Sequence, residues 1–190
     1  MKKRMIMLVV AVMLLGLTAC NHVMNNTERN TFRIESDGIT DISVEDYSNV
    51  DFTEEDLRAY IDAQVTAFTE KNSGTVAVKD LSIQGTTVKL AMNYDTIVTY
   101  NAFNGTAYDM TPANLWNEEI KNDVFTAADG AKLDKAAVEG LLAENGVNVL
   151  QITETTDVVL SGKVLAYSGC TMLDEKTVQV TDETAVIIYK

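Results

Sequence analysis

The chain has 190 residues, with 28 acidic and 15 basic side chains giving a net charge of −13, and only one histidine and two cysteines. Such acidity opposes binding to nucleic acid, because phosphate backbones are gripped by clustered Lys and Arg. The one histidine, His22, lies near the N-terminus, so no histidine follows it; this excludes Ser-His-Asp and Cys-His catalysis and histidine-ligated zinc within one copy of the remaining chain.

The chain opens Met1-Lys2-Lys3-Arg4, runs apolar from Met5 to Leu17 and then reads Leu17-Thr18-Ala19-Cys20. A basic start, a short apolar run and small residues before a cut site are the parts of a secretory signal. The run of about 13 residues spans roughly 20 Å as a helix, short of the roughly 30 Å hydrocarbon core, so it reads as a removed leader. Leu17-Thr18-Ala19-Cys20 resembles the lipobox of bacterial lipoproteins. That resemblance implies cleavage before Cys20, a diacylglycerol-type lipid on its sulfur, and attachment to the outer face of the bacterial cytoplasmic membrane; two acyl chains suffice for stable anchoring. The expected organisation is a leader over residues 1–19, a lipidated Cys20 with a polar tether over residues 20–30, and one globular domain over residues 31–190. Removing Lys2, Lys3 and Arg4 with the leader makes the remainder more acidic still.

Within the domain, Thr31–Glu35 and Ile39–Val44 alternate around Ser36-Asp37-Gly38, a hairpin signal. Asp51–Asn72 reads as the clearest helix: Thr53 caps it, Glu54, Glu55 and Asp56 suit the dipole, and Leu57, Ile61, Val65 and Phe68, joined by Tyr60, form an apolar stripe that Gly74 stops. Val76 and Val78, then Leu81 and Ile83 after a phase change, predict a bulged strand. Val88, Leu90, Met92 and Tyr94 alternate as its hairpin partner. Asp95–Asn104 reads as a short helix capped by Asp95 and carrying Ile97, Val98, Tyr100 and Phe103, with a continuing strand as the alternative. Thr111-Pro112 predicts the start of another over Ala113–Glu119. Asp129-Gly130 marks a turn, and Asp134 caps a helix through Val138, Leu141 and Leu142. Strands follow at Val147–Thr153, Val158–Tyr167 with a kink at Gly162, Thr177–Val180 and Ala185–Tyr189; the last is apolar throughout and predicts an internal place in the sheet. The pattern is α+β: a mostly antiparallel β-sheet with a long N-terminal helix and two or three shorter helices packed on it.

The order of these features is similar to that of a family of small lipoproteins from Gram-positive anaerobic bacteria that carries no assigned activity. The features are the lipobox, the Asp37-Gly38 hairpin, the Phe52–Phe68 helix, Tyr94-Asp95 leading to Phe103-Asn104-Gly105, Ser161–Ser168 and the closing Ala185–Lys190. The resemblance implies location and fold and names no reaction.

Carboxylates occur together at Glu54-Glu55-Asp56, at Asp41 with Glu45 and Asp46, and at Glu118-Glu119, Asp174-Glu175 and Asp182-Glu183, as expected of turns and first helical turns in so acidic a chain. No spacing matches a calcium loop, Ser161 and Lys163 lack an oxyanion hole, and Cys170 has no disulfide partner once Cys20 is lipidated. No catalytic residue, metal site or cofactor is assigned. The aromatic side chains Tyr94, Tyr100, Phe103, Tyr108 and Trp116 cluster in sequence and are the candidate ligand-binding residues, since aromatic faces suit sugar rings or a peptide partner, although core packing would also use them. The reading is a membrane-anchored, non-enzymatic binding or interaction module for an extracellular ligand or protein partner. The alternative is a carboxylate-dependent hydrolase acting on cell-wall or extracellular polymers.

Overall fold

The computed structural model describes residue 24, residues 27–116 and residues 125–190. The expected leader, Cys20 and His22 lie outside the described residues, as do Glu118 and Glu119.

Thr31–Glu35 (β1) and Gly38–Asp46 (β2) form the expected hairpin, with Glu35 opposite Gly38. Gly38 has φ 148°, and a Cβ there would sit 2.3 Å from the Tyr94 carbonyl oxygen, so only glycine lets this turn press on the backbone beside it. Helix α1 (Glu54–Thr69) opens on a capping box: Thr53 Oγ1 accepts from the Asp56 N–H at 3.1 Å, and Asp56 Oδ2 accepts from the Thr53 N–H at 3.0 Å. Its 16 residues follow two strands, so it is neither as long as expected nor N-terminal. Asn72 ends it early, its backbone and side-chain N–H groups both donating to the Phe68 carbonyl before Gly74 is reached. Tyr60, expected on the apolar stripe, is 64% exposed.

Val76–Gln84 (β3) pairs with Thr87–Tyr94 (β4), and the register shifts between Val78 and Asp80 where the phase change predicts a bulge. Helix α2 (Ile97–Asn104) is capped by Thr96, whose Oγ1 accepts from the Thr99 N–H at 3.1 Å. Asp95, the expected cap, instead accepts from the Thr75 N–H at 2.9 Å and ties the start of β3 to the end of β4. Thr111-Pro112 closes the edge strand β5 (Asp109–Pro112), where proline's missing donor costs no ladder bond, and a 3₁₀ turn at Ala113–Leu115 follows; the rest of the expected helix, from residue 117, lies outside the described residues.

Phe125–Ala127 (β6) and Lys132–Leu133 (β7) flank the Asp129-Gly130 turn, and Asp134 caps helix α3 (Lys135–Leu142) by accepting from the Ala137 N–H at 2.9 Å. The chain continues through Asn148–Ile152 (β8), Asp157–Val159 (β9), Val164–Ser168 (β10), Cys170–Met172 (β11), Thr177–Val180 (β12) and Ala185–Tyr189 (β13). The expected strand Val158–Tyr167 is therefore two strands, which lie in different sheets.

The fold is α+β and mostly antiparallel, but with two sheets rather than one. The first runs β11-β12-β9-β1-β2-β4-β3, with only β1 and β9 parallel; the second runs β5-β8-β13-β10-β6-β7. Gly169, at φ 70° and with no room for a Cβ beside the Thr184 carbonyl, carries the chain from β10 in one sheet to β11 in the other. Phe32, Ile34 and Val178 of the first sheet meet Leu150, Ile152 and Ile187 of the second in one buried cluster. Val186 and Ile188 point the other way, joining Val138 of α3, Phe125 and Val149. Strand β13 is thus buried on both faces, as its apolar run predicts, and each such side chain contributes about 1.5–3 kcal/mol.

On the opposite face of the first sheet, Met24 is buried against Ile42 and Ala91. Lys89 Nζ donates to the Thr27 carbonyl at 2.6 Å, and Asn30 Oδ1 accepts from the Val44 N–H at 2.8 Å. The described part of the expected tether is therefore docked on the sheet.

Candidate functional site

Alternation along β2 sends Ile39, Asp41 and Ser43 toward the helices and Thr40 and Ile42 to the other face. Asp41 stands between Phe32 of β1 and Met92 of β4 in register. Helix α1 brings Tyr60, Ile61 and Gln64 over it, and the end of α2 brings Phe103 and Asn104. With Leu90, Met92 and Tyr94 of β4 they line a pocket of about 180 Å³ that is open to solvent on one side. The positions follow from local chemistry: the Thr53 box sets the start of α1, Thr96 sets α2, and the Gly38 turn holds the end of β4.

Asp41 is the one ionisable carboxyl lining this cavity. No ion pair among the described residues reaches it. Burial, helped by the negative charge of Glu154, pushes it up from 3.8 to about 7. Glu154 in turn accepts a short hydrogen bond of 2.5 Å from Tyr108 Oη.

Behind the cavity lies an aromatic cluster. Tyr94 meets Tyr100 edge-on at 5.0 Å between centroids, Tyr100 stacks on Tyr108 at 5.4 Å, and Phe32 packs edge-on against Tyr100 at 5.0 Å. Phe103 contacts both Phe68 and Tyr94, at 5.3 and 5.9 Å. Burial raises the Tyr94, Tyr100 and Tyr108 phenols above 10, so they stay protonated near neutrality. Four of the five candidate residues are thus brought together: Tyr94 and Phe103 line the cavity, while Tyr100 and Tyr108 are buried behind it. Trp116 packs instead on the cluster under α3. Sequence reasoning missed Asp41 as a site residue, grouping it with Glu45 and Asp46. The available signal was its place in β2, two residues after Ile39 on the same side of an alternating strand.

A larger hollow of about 310 Å³ lies at the β1–β2 turn, lined by Glu35, Asp37 and Asp95 among others. Two of its three carboxylates already have partners. Glu35 accepts from Thr40 Oγ1 at 2.8 Å and pairs with Lys79 at 3.4 Å, and Asp95 is held by the Thr75 N–H. The third, Asp37, is exposed on the turn, whereas Asp41 is half-buried without an ion pair, which makes its cavity the better candidate.

Lys163 pairs with Glu175 at 2.7 Å on the surface. Cys170 is half-buried, and burial, with Asp182 nearby, pushes its thiol up to about 12, far from a reactive thiolate. Among the described residues no group of three or more His, Cys, Asp or Glu is placed to hold a metal, and no helix is long and apolar enough to cross a membrane. Comparison of the chain with protein-family models, curated proteins and solved structures finds no match.

Proposed function

We propose that the protein is a lipoprotein, anchored through Cys20 on the outer face of a bacterial cytoplasmic membrane, whose domain binds a small extracellular ligand in the Asp41 cavity. Its place in the family of small lipoproteins from Gram-positive anaerobes belongs to the same proposal. The anchoring rests on the basic, apolar and Leu17-Thr18-Ala19-Cys20 segments in series. The binding role rests on one observation: a concave pocket of mixed apolar, aromatic and polar side chains with one carboxyl, Asp41, whose titration is perturbed, a form that ligand sites take. Its volume suits one small molecule rather than a polymer chain.

Two experiments test the two parts. Cys20→Ala should release the protein from the membrane fraction, and a variant held as tightly as the original would refute the anchor. Thermal unfolding of the full chain in mild detergent, across amines, sugars, wall fragments and short peptides, tests the pocket. A ligand at about 100 times its Kd adds roughly 2.7 kcal/mol and raises the midpoint by about 5 °C. A panel that leaves the midpoint unmoved would refute small-molecule binding.

The hydrolase reading keeps one supporting observation, the nearness of Glu154 to a carboxyl that holds its proton near neutrality. Glu154 is exposed and is not among the cavity-lining residues. Glycan hydrolysis lost in both Asp41→Asn and Glu154→Gln would favour that reading; unchanged glycans would end it.

A further inference from the structure

The Asp41 cavity has a charge without a counterpart. Asp41 is half-buried beside Leu90, Met92, Tyr94 and Phe103, and its partial desolvation makes the ionised carboxyl costlier than at the surface unless an opposite charge faces it. None of the ion pairs among the described residues supplies one. Glu154 nearby and a net charge of −13 make the local potential more negative still, which repels anionic guests and attracts cations. A neutral apolar guest would leave the carboxyl unmatched.

The walls and the volume narrow the choice of cation. Calcium takes six to eight oxygen ligands, and transition metals need several donors; no group of three or more His, Cys, Asp or Glu among the described residues is so placed. The lining instead carries three aromatic rings, the largely exposed Tyr60 from α1, Tyr94 from β4 and Phe103 from α2, beside the polar Ser43, Gln64 and Asn104. Aromatic faces attract ammonium groups through the ring quadrupole, and more strongly where water is excluded. The cavity, about 180 Å³, corresponds to roughly six waters at about 30 Å³ each, room for a molecule of about four to eight heavy atoms.

We infer that the Asp41 cavity binds a small organic ammonium ion, its charge against the Asp41 carboxylate and its carbon substituents against Tyr60, Tyr94 and Phe103. This rests on the ligand-binding reading above and names the ligand class. The groups facing Asp41 are Tyr60 on α1, Tyr94 on β4, Tyr100 on α2, and Glu154 with its partner Tyr108. The Tyr94, Tyr100 and Tyr108 phenols remain protonated near neutrality, leaving Asp41 and Glu154 as the acids to separate by mutation.

The test is calorimetric titration of the full chain with choline, with ethanolammonium, and with 3,3-dimethylbutan-1-ol, the neutral isostere of choline, at pH 6, 7 and 8. Choline or ethanolammonium should bind, and the neutral alcohol should not. The ionised fraction of an acid titrating near 7 rises from about one-tenth at pH 6 to about nine-tenths at pH 8, so Kd should fall about tenfold over that range. Asp41→Asn should abolish binding while unfolding cooperatively like the original, and Glu154→Gln should keep the pH dependence. Binding of choline alone would identify a quaternary ligand, and of ethanolammonium alone a primary amine; either supports the inference. Equal affinity for the alcohol, or cation binding that survives Asp41→Asn, overturns it. If a sugar or peptide stabilises the domain and neither cation binds, the ammonium inference fails while the ligand-binding reading stands. If no compound of any class binds, both fail.

Discussion

Replacing Asp41 by Asn should make the empty protein more stable at pH 8 and change little at pH 4. The folded carboxyl titrates near 7, against 3.8 when free. Between those values the folded state holds a proton that the unfolded state has released, so stability falls as pH rises through the window and the cost of Asp41 reaches its full value above 7. A difference of about three pH units at about 1.4 kcal/mol each gives at most about 4 kcal/mol. Asn has the same shape and does not titrate. The gap between the variant and the original should therefore open from near zero at pH 4 to a few kcal/mol at pH 8. Urea unfolding of both proteins at pH 4, 5.5, 7 and 8 measures that gap directly. Because the chain has 28 acidic residues, only the difference between the two curves isolates Asp41. Parallel curves would mean that the carboxyl is ionised in the folded state throughout, and the reasoning from burial would be refuted.

Thr53→Ala removes the side-chain half of the α1 capping box and should cost about 1 kcal/mol in urea unfolding; no loss would show that the box does not hold the helix start. Ile187→Ala hollows the contact between the sheets at a fully buried position and should cost about 2–5 kcal/mol, several times the cap, with a smaller loss counting against a shared core. Gly38→Ala should destabilise by more than the Thr53 change and shift the near-ultraviolet tyrosine signal, because the added Cβ collides with the Tyr94 carbonyl. Cys170 should resist alkylation at pH 8 in the folded protein and react fully in urea, and rapid labelling of the native state would contradict its burial.

Much of the fold was legible because local chemistry decided it. The Asp37-Gly38 hairpin, the bulge after Val78, the Thr53 and Asp134 caps and the internal strand Ala185–Tyr189 all announce themselves within a few residues. The failures lie where a distant partner won. Asp95 would cap α2 but is claimed by Thr75, twenty residues back, leaving Thr96 to do so. Thr111-Pro112 would open a helix but pairs along β8. The break between β9 and β10 separates two sheets, which periodicity in one segment cannot express. The site was half legible. Sequence proximity picked out the aromatic segment, but Tyr60, Asp41 and Glu154 come from three other places in the chain. Trp116, adjacent in sequence, belongs to a different cluster.

Strand β2 shows why Asp41 stands apart from the chain's other carboxylates. Its neighbour Ile42 is fully buried on the opposite face against Met24 and Ala91, so a one-residue slip that exposed Asp41 would put Ile42 in its place and break the register with β1 and β4. The aspartate is held half-buried at the cavity by its neighbours Thr40 and Ile42, both buried on the other face. Most of the other described acids avoid this strain at turns, helix starts or on the surface, as Asp56 and Glu175 do. A residue that costs stability at a cavity wall, while its neighbours follow the rules of packing, is the pattern by which binding sites depart from their folds. The same cost makes the site responsive: a cation that offsets the buried charge stabilises the folded state most where the empty protein is weakest, above pH 7. Ligand affinity and the pH dependence of stability are then two readings of one carboxyl, and each constrains the other through linkage.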